Sequence, residues 1–218
     1  MRKTSLATGE YYHIFNRGNN KQRIFYDDKD RIRFLLLLFV FQSPLLVGNI
    51  SRLTSDFLKG KTINIGKLED RIIRNRMVKL INFVLMPNHF HLTLLQVKNT
   101  GISKFMQKIL QGHTKYMNLR YGTVGHIFQG PFKAVHIEDN EQLLHLSAYI
   151  HRNPRELRGW INKENRFPWS SYQDYGKENR WGEFLSAKVI TNQFRTTREY
   201  RDFVDSSGTK ELDESHLL

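Results

Sequence analysis

The amino-acid sequence predicts an α+β fold of the ferredoxin-like, split βαβ type, an antiparallel sheet with helices on one face. Three observations carry this expectation. Two apolar runs, Ile81–Met86 and Leu92–Leu95, flank Pro87-Asn88 and read as adjacent strands closed by a turn. Helical spacing stands on either side of that pair: Phe34, Leu35, Leu38 and Phe41 before it, and Ile102, Phe105, Met106, Ile109, Leu110, His113 and Met117 after it. Branched and aromatic stretches at Glu10–Asn16 and from Phe132 add a first and a last strand. The order is then strand, helix, strand, strand, helix, strand, with the first and third strands side by side at the centre of the sheet.

Each element has a local cause. Glu10–Asn16 is aromatic and branched and runs into Arg17–Arg23, a loop carrying Arg17, Lys21 and Arg23. Asp27-Asp28 offers caps for the first helix. Residues 43–76 are interrupted by Pro44, Gly48, Gly60 and Gly66 and are rich in lysine and arginine, which predicts a basic excursion with short helices. The helix opened by Gly101 ends at Gly122, which can take the left-handed terminating conformation. A glycine-rich loop, Gly125–Gly130, leads to the strand from Phe132. Glu138-Asp139-Asn140 then caps a helix with Leu143, Leu146, Tyr149 and Ile150 that stops before Pro154. A further helix is expected near Thr197–Val204, and Ser206–Leu218 is expected to fray. The domain reading is one unit over 1–175, with 43–76 as an insertion, and a C-terminal extension over 176–218.

Composition narrows the function. Apolar content of 39% with 12% aromatic fits a packed globular chain, and a net charge of +13 calls for a polyanionic partner. Nucleic acid is the first choice and an anionic membrane surface the competitor. The absence of cysteine excludes disulfides, thiolate zinc sites and a thiol nucleophile. Met1–Thr8 has no apolar leader, and Phe34–Val47 is too short to span a bilayer. The expectation is a cytoplasmic, nucleoid-associated protein with no membrane partner.

His89 and His91 lie two residues apart on the second strand of the pair, so both imidazoles leave one face of the sheet and can clamp a divalent cation. Such a pair is more often structural. Tyr149 and Asn153 are four apart on one helical face, about 5–6 Å between β-carbons. Brought against the strand, they would add a third ligand and a nucleophile. The competing reading is that Tyr149 packs and Asn153 caps its helix. His145, one turn before Tyr149, is a candidate helper.

Five blocks then make the chain recognisable: Tyr12–Asn20, Val84–Leu92, Gly125–Gly130, Tyr149–Pro154 and Phe167–Tyr172. Over residues 10–175 the sequence resembles the single-tyrosine transposases of the HUH endonuclease class (histidine–hydrophobic–histidine), most closely the REP-associated tyrosine transposases. The resemblance implies that His89 and His91 are metal ligands, that Tyr149 is the nucleophile and that Asn153 completes the site. It implies Mg²⁺ or Mn²⁺ as cofactor and single-stranded or hairpin DNA as partner, for a monomer or homodimer. The implied activity is single-strand cleavage and strand transfer through a 5′-phosphotyrosine, with a domesticated hairpin-binding protein as the alternative. Arg17, Lys21, Arg23, Lys133 and Arg152 are expected to follow the phosphate backbone, with Gln129 beside them in the third block. Phe128, Trp169 and Tyr172 could stack on unpaired bases. Pro131 departs from the family pattern, which has an arginine there.

Overall fold

The structure is a computed structural model that describes residues 5–45, 48–59, 67–176 and 178–207. Strand β1 (Tyr11–Arg17) is buried from Tyr12 to Asn16, on both faces, as a strand covered from two sides must be. It pairs antiparallel with β3 (His89–Gln96) on one side and with β4 (Lys133–Ile137) on the other. β2 (Val78–Leu85) pairs with β3 and closes the order β2-β3-β1-β4. The split βαβ expectation holds, with the first and third strands central. In this register Phe15 faces His91 and Arg17 faces His89.

One face of the sheet is the main core. Helices α1 (Asp28–Val40) and α4 (Gly101–Tyr121) cover Tyr12, Ile14, Phe90, Leu92 and Leu94 there. The Phe34 ring lies 5.2 Å from Phe90 and 5.0 Å from His113. Burying each such ring is worth about 2–3 kcal/mol. His113 donates from Nε2 to the Ile24 carbonyl at 2.8 Å, and burial lowers its pKa to about 4. Asp27 caps α1 by accepting from the Asp30 amide, and Gly122 ends α4 at φ +64°. The short helices expected in the basic excursion are α2 (Ile50–Leu58), packed on α1, and α3 (Lys67–Arg74). Gly60 and Gly66 lie outside the described residues.

The other face carries α5 (Asn140–Arg152), which crosses β2, β3 and β4 after capping by Asp139. The two crossover helices therefore share a face, as expected, and α5 adds a layer opposite them. Its buried residues extend over more than half of the helix surface because the sheet covers one side and α8 (Thr197–Ser206) another. Between β4 and α8 the chain also forms α6 (Tyr172–Gly176) and α7 (Lys188–Thr191).

An uncovered edge would invite pairing with another chain. The C-terminal region covers β2: the Leu85 amide donates to the Trp169 carbonyl at 2.8 Å, Ser171 to Phe83 at 3.0 Å and Ser186 to Leu80 at 2.8 Å. A buried chain of hydrogen bonds ties α5 to the same region. Ser147 Oγ lies 2.6 Å from Tyr200 Oη, which donates to His151 Nδ1 at 2.6 Å. His151 Nε2–H donates to Ser171 Oγ at 2.8 Å, and that hydroxyl donates to the Phe83 carbonyl at 3.2 Å. Every member is satisfied with one neutral imidazole, and burial lowers the His151 pKa to about 3. The residues after Ser207, where fraying was expected, lie outside the described set. No helix among the described residues is long and apolar enough to cross a membrane.

Candidate active site

The turn before β3 is fixed by the loop after β1. The amides of Gly18, Ile24 and Phe25 donate to the carbonyls of Asn88 and Pro87 at 2.7, 2.9 and 3.1 Å. A β-carbon at Gly18 would stand 2.0 Å from the Gln22 carbonyl oxygen, so only glycine fits this close approach. His89 thus opens its strand in a set pose. Its Nδ1–H donates to Asn88 Oδ1 at 2.7 Å, which puts the lone pair of the ring on Nε2.

Nε2 lies 3.0 Å from Asn153 Oδ1, within hydrogen-bonding distance. A shared proton on a charged imidazole, or a shared cation on a neutral one, accounts for this contact. A cation with ligands at about 2.0–2.1 Å at right angles sets neighbouring donors about 3.0 Å apart. The spacing therefore suits a shared hard cation. Asn153 stands at the C-terminal cap of α5 and begins a 3₁₀ turn, Asn153–Glu156; its amide bonds the Tyr149 carbonyl while its side chain turns to His89. Among the described residues no group of three His, Cys, Asp or Glu side chains is placed to hold a metal ion.

His91 is 6% exposed, and its Nδ1 lies 2.8 Å from His13 Nε2. Burial, then His13 and His89, hold the His91 pKa well below the ordinary value, and burial lowers that of His13 to about 3. The Tyr149 ring stands edge-on to His91 at 5.4 Å and to His13 at 6.2 Å, at the mouth of the pair. Tyr149, His89 and His91 share a cleft of about 540 Å³ with Arg17, Lys21 and Lys133. The lip is Gln129-Gly130-Pro131, and among the described residues Glu156 is the one carboxylate in the lining. Partial burial and the nearby Arg17 lower the Lys133 pKa.

The structure thus brings together Tyr149, His89, His91, Asn153, Arg17, Lys21, Gln129 and Lys133. Arg17 donates from Nε to Gln129 Oε1, and the Gln129 amide returns to the Arg17 carbonyl at 2.9 Å. Arg23 is exposed and does not line the cleft. Arg152 turns to the carbonyls of Val204 and Ser207, where it meets the negative end of α8, so the expected phosphate contact is replaced by a helix cap. Phe128 and Tyr172 are 7% and 3% exposed and pack in the core, so neither offers a ring face to a base. Trp169 is half-buried with the Arg31 guanidinium 5.6 Å over its ring. His145 is exposed, near Glu141 and the Phe203 ring, and does not line the cleft.

Two residues at the site were not found by spacing. Glu156 is three residues beyond Asn153 in a 3₁₀ turn, where such side chains eclipse. His13 shares a sheet face with Arg17, and pairing of β1 with β3 would have placed it beside His91.

Residues 55–153, which include all four expected site residues, match the family model for IS200-like transposases. A solved structure of a REP-associated tyrosine transposase bound to a REP hairpin matches with a TM-score of 0.53 at 15% identity, over 80% of this chain and 83% of that one. No curated protein matches the chain. Over 55–153 the chain thus matches the IS200-like transposases in sequence, and over four-fifths of its length it has the fold of a REP-associated tyrosine transposase.

Proposed function

We propose that this protein cuts and rejoins single-stranded DNA, with Tyr149 as nucleophile and His89, His91 and Asn153 holding Mg²⁺ or Mn²⁺. The observation that carries the reading is the convergence of His89 Nε2 and Asn153 Oδ1 at 3.0 Å beside the Tyr149–His91 contact, inside a cleft with three cations. Two imidazoles with a carboxamide oxygen form an open, mixed set, better suited to a hard divalent ion than to structural zinc. When bound, the ion supplies Lewis-acid polarisation of the non-bridging phosphate oxygens.

The chain's own residues do the rest. Arg17, Lys21 and Lys133 hold the backbone so that the phosphorus faces Tyr149, the positioning that in-line displacement needs. The phenolate oxygen forms a bond to phosphorus, the bond to the 3′ oxygen breaks, and the departing 3′-hydroxyl takes up a proton. The 5′ end stays on Tyr149 as a phosphotyrosine. Attack by a 3′-hydroxyl reverses the step, so no nucleotide cofactor is consumed. Hairpin DNA with single-stranded flanks is the preferred substrate, supported by the REP hairpin to which the structural relative is bound.

The test is a covalent adduct on a denaturing gel after incubation with hairpin oligonucleotides and Mn²⁺. Adduct is expected for the wild type and absent from Tyr149→Phe, His89→Ala and His91→Ala, which should keep salt-sensitive DNA binding. An adduct that survives Tyr149→Phe refutes the nucleophile. Tight hairpin binding with no adduct on any substrate favours the domesticated binder.

A further inference from the structure

His13 is 3% exposed on β1, opposite Thr93, and its Nε2 lies 2.8 Å from His91 Nδ1 with the rings stacked at 5.0 Å. A nitrogen–nitrogen contact of that length holds one proton between the two rings. If His13 donates it, the proton of a neutral His91 sits on Nε2, and that nitrogen has no lone pair for a cation. If His91 donates from Nδ1, its Nε2 keeps a lone pair. His89 is already in the second state, because its Nδ1–H donates to Asn88 Oδ1 at 2.7 Å.

We propose that His13 is a positioning residue that accepts the Nδ1–H of His91 and thereby holds His91 in the tautomer that ligates through Nε2. This rests on the metal reading of the site given above. Asn88 and His13 then perform one task on the two imidazoles, from the turn and from the neighbouring strand. Hydrogen bonding to the far nitrogen of a ligating histidine fixes both its tautomer and its ring plane. Here the plane is also fixed by packing: His13 lies 4.8 Å from the Phe15 ring, and Phe15 stacks on His91 at 5.7 Å. The Tyr149 edge contacts both histidines, so the same ring also forms part of the wall beside the nucleophile.

The experiment is Mn²⁺ titration of the whole chain without DNA, with free Mn²⁺ followed by electron paramagnetic resonance. His13→Phe keeps a ring but removes the acceptor, and its affinity should fall about 10–100-fold. His13→Gln, whose carboxamide oxygen can accept the same proton, should stay several-fold tighter than His13→Phe. Wild-type affinity in His13→Phe, or equal weakness in both variants, overturns the proposal. His91→Ala separates the two readings: undiminished Mn²⁺ binding there refutes the metal site itself. Should His13→Phe unfold, histidine ¹⁵N spectra of the wild type with Mg²⁺ decide the matter. The Nδ1–H tautomer at His91 is expected, and the Nε2–H tautomer overturns the proposal.

Discussion

Arg17 sits directly across the β1–β3 pair from His89, and Lys133 sits across β1 and β4 from Phe15. Both line the cleft, and the Arg17 charge is one reason the Lys133 pKa is lowered. A phosphate between them would relieve that repulsion. Replacing either with alanine should reduce the salt dependence of single-strand binding by about 0.7 in log–log slope, measured by fluorescence anisotropy across salt concentrations. An unchanged slope would make both ordinary solvated charges. Arg17 and Lys133 were legible because both stand in or beside recurring sequence blocks. Phe128 and Tyr172 were not. An aromatic ring in a glycine-rich loop or beside a proline reads the same whether it faces solvent or core, and only tertiary packing decides. His13 was illegible for a related reason: its partner is 78 residues away, and nothing local marks the pairing.

At the scale of elements, α5 carries Tyr149 toward the cleft while its back is held by Ser147, His151 and Tyr200. Tyr200→Phe would remove the hydroxyl that serves both other groups and leave His151 Nδ1 without a donor. The expected cost is about 1–3 kcal/mol, seen as a lower denaturant midpoint at unchanged slope. A loss below about 0.5 kcal/mol would mean that the chain of bonds contributes little. The elements themselves were readable where periodicity and punctuation agree: the Asp27 and Asp139 caps, the Gly122 stop and the Pro87-Asn88 turn all fall where expected. The cover over the β2 edge was not readable, because Trp169, Ser171 and Ser186 bond through irregular backbone that leaves no periodic trace. The opposite-face position of α5 also escaped, since a helix buried on two sides shows no single apolar stripe.

At the scale of the molecule, four buried histidines among the described residues set the response to acid. Burial lowers the pKa of His13 and His151 to about 3 and of His113 to about 4, and holds His91 well below its ordinary value. In the unfolded chain each titrates near 6.5. Between those values the unfolded chain binds more protons than the folded one, so stability falls as pH falls below about 6.5. His113 and His151 each contribute about 1.4 kcal/mol per pH unit, or about 2 kcal/mol by pH 5, and His13 and His91 act in the same direction. Thermal unfolding followed from pH 7.5 to 5 should show a steep drop in midpoint; a flat profile would mean that these rings are charged in the fold.

The division of β3 between two faces has a consequence for descent. Phe90, Leu92 and Leu94 hold the core with α1 and α4, while His89 and His91 alternate with them on the face toward Tyr149. Because the two duties fall on interleaved positions, drift can erase one without the other. A chain that lost Tyr149 or His89 would keep its apolar core and the cations of its cleft.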